Sequence, residues 1–495
     1  MIFRGKRLIA LLVSASAALS FPSCSAEVGQ VKIHSDSGTS SQQQENNEAQ
    51  AATTTEETTT TTTTTTMVYR GNIYDTNYNL LTYGTYANDN EDQRLYGDGY
   101  SYSFGNIISE ASAGLDDAVG DLLRAKNPTP VDGRENVGQS VRLTIDANVQ
   151  TSLSSYMANM GIAGSVVVLR TDGSILAEVS YPTYDPELFY SDPTYGENLM
   201  SGTIANKAFQ NASPGSCFKI MSEVIADKHG VYSVTDDGTW DFGNDHPIVN
   251  WDHDKNKSSY PMERSLSSAF INSSNIFFAK AFDIIGEDAV ISDLQTIFHF
   301  GKGAEHDIHC DFGDLTNNIE IEDIDDLRRS AFGQSKVLTC PIFLAALGRE
   351  AIFGDMVTPF VLKATVDPAD GRTKAGDGSK AYDVIASIPP ELRDNLLSGM
   401  SGVGADIGVY VPAGYSFYAK TGTAEGWRGD YLYITGCARN NNGTGSETYE
   451  NYDNYGETGS YVLVMEIQNP ADHGFEFASQ SAGLYSGIMN IVAGN

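Results

Sequence analysis

Residues 164–180, GSVVVLRTDGSILAEVS, hold two β-rich runs joined by a Thr-Asp-Gly turn, the pattern of a hairpin. Further long runs of this kind come near the other end of the chain, at GYSFYAKTGTAEG (414–426), DYLYITGCAR (430–439) and SYVLVMEIQN (460–469). Helical stretches such as FKIMSEVIADKHG (218–230) and IFFAKAFDIIG (276–286) dominate the middle. Strands at both ends with helices between them predict an α+β body built on one antiparallel sheet flanked by helices.

Upstream of the hairpin, MVYRGNIYDTNYNLLTYGTY (67–86) alternates aromatic and branched residues with turn formers, as strands and hairpins do. ASAGLDDAVGDLLRAKNP (111–128) has helical spacing through Leu115, Val119, Leu122 and Leu123 and must stop at Pro128. SVRLTID (140–146) reads as a strand, and ANVQTSLSSYMANMG (147–161) as a helix closed by Gly161. Before this body, residues 27–67 are rich in Ser, Gln, Glu and Ala and end in TTTEETTTTTTTTT (53–66). Such a segment cannot bury enough apolar surface to offset its ordering entropy, so it is expected to be a disordered linker. Residues 1–26 begin with basic MIFRGKR and an apolar run from Leu8 to Phe21. That run is shorter than the ~20 residues a spanning helix needs, so a signal peptide is preferred to a membrane anchor, and export is expected. Cys24 raises the option of lipid attachment, though Phe21 and Pro22 fit a lipobox poorly.

A formal charge of −33 over 495 residues argues against nucleic acid as a partner, because phosphate binding requires a basic face. The five cysteines are spaced too irregularly for a disulfide framework or a zinc site. His306, His309 and Cys310 cluster in EHDIHC, but no distant second ligand pair accompanies them, so that stretch reads as a surface loop and no metal is expected.

Three short polar motifs stand out. In SPGSCFKI (213–220), Pro214 and Gly215 set the entry to a helix, and Ser216 and Lys219 are spaced i, i+3 on one face. The amine can therefore reach the hydroxyl, although about one or two such pairs arise by chance in a chain this long. INSSNIFFAK (271–280) sets Ser273, Ser274 and Asn275 at the head of an apolar helix, where helix capping is the plain alternative. In YAKTGTAEG (418–426), Lys420, Thr421, Gly422 and Thr423 end a strand, and a glycine inside a strand often marks close approach by a ligand or another backbone.

In this order, S-x-x-K, S-x-N and K-T-G-T resemble the penicillin-recognising serine enzymes, and specifically the class B penicillin-binding proteins. RGNIYDTNYNLL (70–81) is similar to the N-terminal RG-I-D segment of that family, and LTIDANVQ (143–150) and GSILAEVSYPTYDP (173–186) to its entry into the catalytic domain. AFGQSKVLTC (331–340) is similar to its GQG-x-x-x-x-TP segment, with Ser335 and Cys340 as departures.

The resemblance implies a pedestal region over 68–150 and a transpeptidase domain over 151–495. It implies a peptidoglycan D,D-transpeptidase that works without a cofactor and is acylated by β-lactams. Ser216 would attack a D-Ala-D-Ala stem peptide, with Lys219 as base, Ser273 relaying protons and Asn275 orienting Lys219 and the substrate. Lys420 would add positive potential, Thr421 and Thr423 would hold the terminal carboxylate, and Gly422 would leave room for the peptide along the strand. The N–H groups of Ser216 and Thr423 would form the oxyanion hole. A cell-wall synthesis partner such as a glycosyltransferase is a further implication, as is work at the extracytoplasmic face. Three alternatives stay open: a D,D-carboxypeptidase, a β-lactamase-type hydrolase using Glu391 and Asn395 of ELRDN (391–395), and a non-catalytic β-lactam sensor.

Overall fold

Five long strands form the central sheet in this computed structural model: β5 (Gly164–Arg170), β6 (Ile175–Tyr181), β8 (Tyr415–Ala424), β9 (Tyr431–Asn440) and β10 (Tyr461–Gln468). The strand order is β8-β9-β10-β5-β6, antiparallel throughout. The structure describes residues 69–494 except 87–91, 98, 109–113, 116–118, 126–137, 201, 244–245, 312, 367–382, 426–428 and 444–458. All of them belong to one compact unit, Thr65–Asn495. The expected signal segment and Thr-rich linker lie outside the described residues, as does part of the helix expected at 111–128.

The inner strands read as nearly unbroken apolar runs because helices cover both faces of the sheet. Successive side chains of a strand point to opposite faces. On one face, Gly348 of helix α4 (Pro341–Phe353) packs over Thr435 and Val462. On the other, Tyr485 of helix α5 (Ala482–Ala493) lies over Gly436 and donates its hydroxyl to the Leu463 carbonyl at 2.8 Å. Helix α1 (Ala147–Met160) lies against β6, capped by Asp146 and closed by Gly161 at φ +64, as its sequence predicts. Val166, Val167, Val168, Leu463 and Val464 are wholly buried, each worth about 1.5–3 kcal/mol of apolar transfer.

One sheet is expected from the sequence, and the described residues contain a second of five strands. It is formed by β1 (Ile73–Tyr74), β2 (Leu80–Tyr86), β3 (Asp92–Tyr96), β4 (Ser140–Leu143) and β7 (Leu362–Val366), in the order β7-β4-β1-β2-β3. The β1–β4 pair is parallel and the other pairs are antiparallel. β7 is short and joins β4 across more than two hundred residues, a pairing that no local pattern announces.

Two carboxyls sit inside the central sheet. Burial pushes Glu178 on β6 and Glu466 on β10 up to about 7. Glu466 accepts from Ser165 Oγ at 3.0 Å and from Gln468 Nε2 at 2.9 Å. The folded state thus holds protons that the unfolded chain has released, so stability falls as pH rises from about 4.5 to about 7. We expect Glu466→Gln to flatten that slope in urea melts at graded pH, removing about 2–4 kcal/mol of pH-dependent loss. An unchanged slope would show that Glu466 is not protonated in the fold.

Candidate active site

Gly215–Phe218 form a 3-10 turn that runs into helix α2 (Lys219–Lys228). With three residues per turn, side chains at i and i+3 eclipse, which aligns Ser216 and Lys219 more closely than an α-helix would. Lys219 Nζ lies 2.8 Å from Ser216 Oγ. The turn meets β8 only because two glycines allow it. A Cβ on Gly422 would lie 2.7 Å from the Pro214 carbonyl oxygen and 2.9 Å from Cys217 Sγ. Gly215, at φ +53, would place a Cβ 2.4 Å from the Thr423 carbonyl oxygen. Cys217 is fully buried, with Sγ 3.6 Å from the Lys420 carbonyl oxygen, and burial pushes its thiol up.

The second motif opens helix α3 (Asn275–Ile285), with Ser274 as its cap, so the capping reading holds for Ser274. Its neighbours on either side face Lys219. Nζ lies 2.7 Å from Asn275 Oδ1, 2.9 Å from the Ser273 carbonyl oxygen and 3.1 Å from Ser273 Oγ. Lys420 enters from β8, donating to Ser273 Oγ at 3.0 Å and to the Thr421 carbonyl at 3.0 Å. Lys420 and Gly422 face inward, while Thr421 and Thr423 alternate outward onto the cleft.

Both amines are wholly buried, Lys219 near the rings of Phe278 and Phe332 and Lys420 near that of Phe270. Burial, and then the adjacent Lys420 charge, hold Lys219 well below the ordinary lysine range. Burial pushes Lys420 down to about 8. Of the two amines, Lys219 is thus the one biased furthest toward its neutral form. A neutral amine against a serine hydroxyl is the arrangement that makes an oxygen nucleophile.

Ser216, Ser273, Asn275, Thr421 and Thr423 all line one cleft of about 690 Å³, with Lys219 and Lys420 behind its wall. The eight residues to which the resemblance assigns a catalytic or binding role therefore gather around this cleft. Local patterns miss other parts of the cleft: Trp251 and Phe477, packed at 5.7 Å between ring centroids, and Phe332. Each is a single aromatic in a polar or mixed stretch, which nothing in its neighbourhood marks. In the Gly-Gln-Ser segment, Ser335 lies at φ +65, a left-handed position where glycine is the usual occupant, and its hydroxyl donates to Asp326. Glu391 is not in the cleft lining, and Asn395 donates to Asp227 near the far end of α2, at 2.9 Å. His306, His309 and Cys310 fall on a 3-10 turn and a short hairpin, where His309 contacts Asp314 at 2.8 Å.

Comparison with known proteins agrees with this fold. Residues 164–484 match the family model of the penicillin binding protein transpeptidase domain. The chain belongs to that family, and to its class B branch. It is 26% identical over 391 residues to penicillin-binding protein 3 of Bacillus subtilis, covering 73% of this chain and 54% of that one. It is 25% identical over 305 residues to stage V sporulation protein D of the same organism, covering 58% of this chain and 44% of the relative. The chain thus spans about half the length of the curated relatives it matches. Among solved structures, penicillin-binding protein A from Mycobacterium tuberculosis superposes with a TM-score of 0.68 at 20% identity, over 86% of this chain and all of that one. The imipenem acyl-enzyme complex of the same protein gives 0.67 at 19% identity, covering 86% of this chain and 99% of that one.

Proposed function

We propose that this protein is a peptidoglycan D,D-transpeptidase in which Ser216 is the nucleophile and Lys219 its base. The observation that carries the reading is the buried Lys219 amine held 2.8 Å from Ser216 Oγ. A neutral amine has two N–H groups and one lone pair. The Ser273 carbonyl and Asn275 Oδ1 are pure acceptors and take the two hydrogens, which leaves the lone pair for the Ser216 hydroxyl.

In the forward step Ser216 Oγ bonds to the penultimate D-Ala carbonyl carbon as its proton passes to Lys219. The tetrahedral oxyanion is received by the Ser216 and Thr423 N–H groups, each such donor being worth about 3–4 kcal/mol. The C–N bond then breaks, and Ser273 delivers the proton to the departing D-Ala amine. Lys420, with Thr421 and Thr423, holds the terminal carboxylate. β8 is an edge strand along which the peptide can lie as an added strand, while the bare Gly422 makes room for the Ser216 turn rather than for the peptide. The amine of a second stem peptide attacks the acyl-enzyme, and Ser216 leaves with its proton restored. A β-lactam enters the first step and stays bonded. Asp406 and Glu425 are the carboxylates of the cleft lining, and Glu391 is not among them, which argues against a β-lactamase built on that glutamate.

By the same reading, residues 1–26 export the chain, 27–67 are a linker, 68–150 act as a pedestal to the 151–495 domain, and the protein works at the extracytoplasmic face beside a glycosyltransferase. The described residues hold no helix long and apolar enough to cross a membrane. The test is incubation of the protein with a D-Ala-D-Ala-ending stem-peptide mimic and a primary-amine acceptor. A cross-linked product with released D-Ala is expected. Hydrolysis alone would make it a carboxypeptidase, and acylation by penicillin without any turnover of the mimic would make it a sensor.

A further inference from the structure

The loop that carries Ser273 and Asn275 is held from beneath by groups that take no part in acyl transfer. Ser273 sits at φ +55, a conformation that a serine keeps only when its surroundings impose it. Ser274 Oγ accepts from the Phe277 N–H at 3.0 Å and donates to Asp236 Oδ2 at 2.7 Å. Asp236 is fully buried and also accepts from Arg264 Nε at 2.6 Å, from the Gly238 N–H at 2.9 Å and from Asn250 Nδ2 at 2.9 and 3.0 Å. Asn250, itself buried, turns its Oδ1 to the N–H groups of Asn275 at 2.8 Å and Ile276 at 3.1 Å. Beside it, the Val249 carbonyl accepts from Asn275 Nδ2 at 3.0 Å, which leaves Asn275 Oδ1 facing Lys219.

One side-chain oxygen is enough to cap a helix. Here Asn250 and Ser274 together take the first N–H groups of α3, and a buried carboxylate–guanidinium pair fixes them both. Such a pair is a weak source of stability, because its desolvation offsets most of its attraction. Its hydrogen bonds to Ser274 and Asn250 do, however, restrict where those two side chains can sit.

We propose that Asn250 and Asp236 are positioning residues for acyl transfer, setting where Ser273 and Asn275 meet the Lys219 amine. The inference rests on the function proposed above. If Asn275 drifts from Nζ, one N–H of the neutral amine loses its acceptor and the amine turns, taking its lone pair off the Ser216 hydroxyl. The carbonyl oxygens of Ser273 and Asn275 also favour the ammonium form, so loosening them lowers the pH at which Lys219 becomes neutral.

The test compares the protein with its Asn250→Ala, Asn250→Gln and Asp236→Asn variants. Acylation by a fluorescent penicillin is resolved into binding and bond formation from about pH 5 to about pH 10. Bond formation is expected to slow by ~10- to 100-fold while binding changes little, and the acidic limb of the profile is expected to move to lower pH. A purely structural role predicts labelling that scales with the folded fraction, with the unmutated pH profile, and that result would overturn the inference. Should Asn250→Ala or Asp236→Asn not fold, Asn250→Gln, which keeps both amide groups one methylene further out, is judged by the same criteria. Absence of labelling in the unmutated protein, or labelling of Ser216→Ala, would instead overturn the function on which the inference rests.

Discussion

Replacing Ser216 with alanine is expected to abolish the covalent band that a fluorescent penicillin leaves on the unmutated protein, at any time and any concentration. The variant lacks the atom to which the opened lactam would bond. Ser273 Oγ is within reach, but it lies 3.0 Å from the Lys420 amine and 3.1 Å from Lys219, in the left-handed turn that aims it at them. Cys217 is buried on the far side of the turn, and its raised proton affinity keeps it a thiol. The cleft itself remains, so reversible binding of the antibiotic should survive the substitution. Peptide turnover should fall to the residue that binding and oxyanion stabilisation leave in serine enzymes, about 10³–10⁴-fold over water. Labelling of the variant at the unmutated rate would remove Ser216 from the mechanism.

Lys219→Met should slow acylation by ~10²–10⁴-fold, the usual range for loss of a positioned general base. The same change should not unfold the protein. Methionine fills a similar volume beside Phe278 and Phe332, and it removes a buried amine whose charged form burial disfavours. A melting temperature equal to or above that of the unmutated protein at neutral pH is therefore expected with the loss of rate. Lys219→Arg tests the proton directly, since a guanidinium keeps its charge throughout the working range and should be as inert as methionine. In the unmutated protein the rate should climb as Lys219 loses its proton, well below the ordinary lysine range, and fall above about 8 as Lys420 loses its charge. A profile that rises only near the ordinary lysine pKa would show that Lys219 is not held neutral in the fold.

The site was legible in the sequence to the extent that it is built from runs of adjacent residues. Ser216 with Lys219, Ser273 with Asn275, and Lys420 through Thr423 each occupy one turn or one strand end, so their local order carries the chemistry. The long strands of the central sheet were legible for a similar reason, being runs of 7–10 residues with little polar interruption. What could not be read is held together by tertiary contact alone. Asp236, Asn250 and Arg264 are single polar residues in a polar stretch, and only the folded chain shows that they are buried around one carboxylate. Trp251 and Phe477 come from distant segments, and their tilted ring contact on the cleft wall has no local signature. β7 has five residues and β1 has two, too few for a period to show, so the second sheet went unseen.

The strand order also governs how the chain can be made. β10 inserts between β9 and β5, and β5 precedes it by nearly three hundred residues. At about 5–20 residues per second, the β5–β6 hairpin waits on the order of 15–60 s with one apolar edge open. A nascent chain in that condition offers a template for intermolecular strand addition. Productive maturation therefore requires that something shield that edge, or hold the chain extended, until β10 arrives.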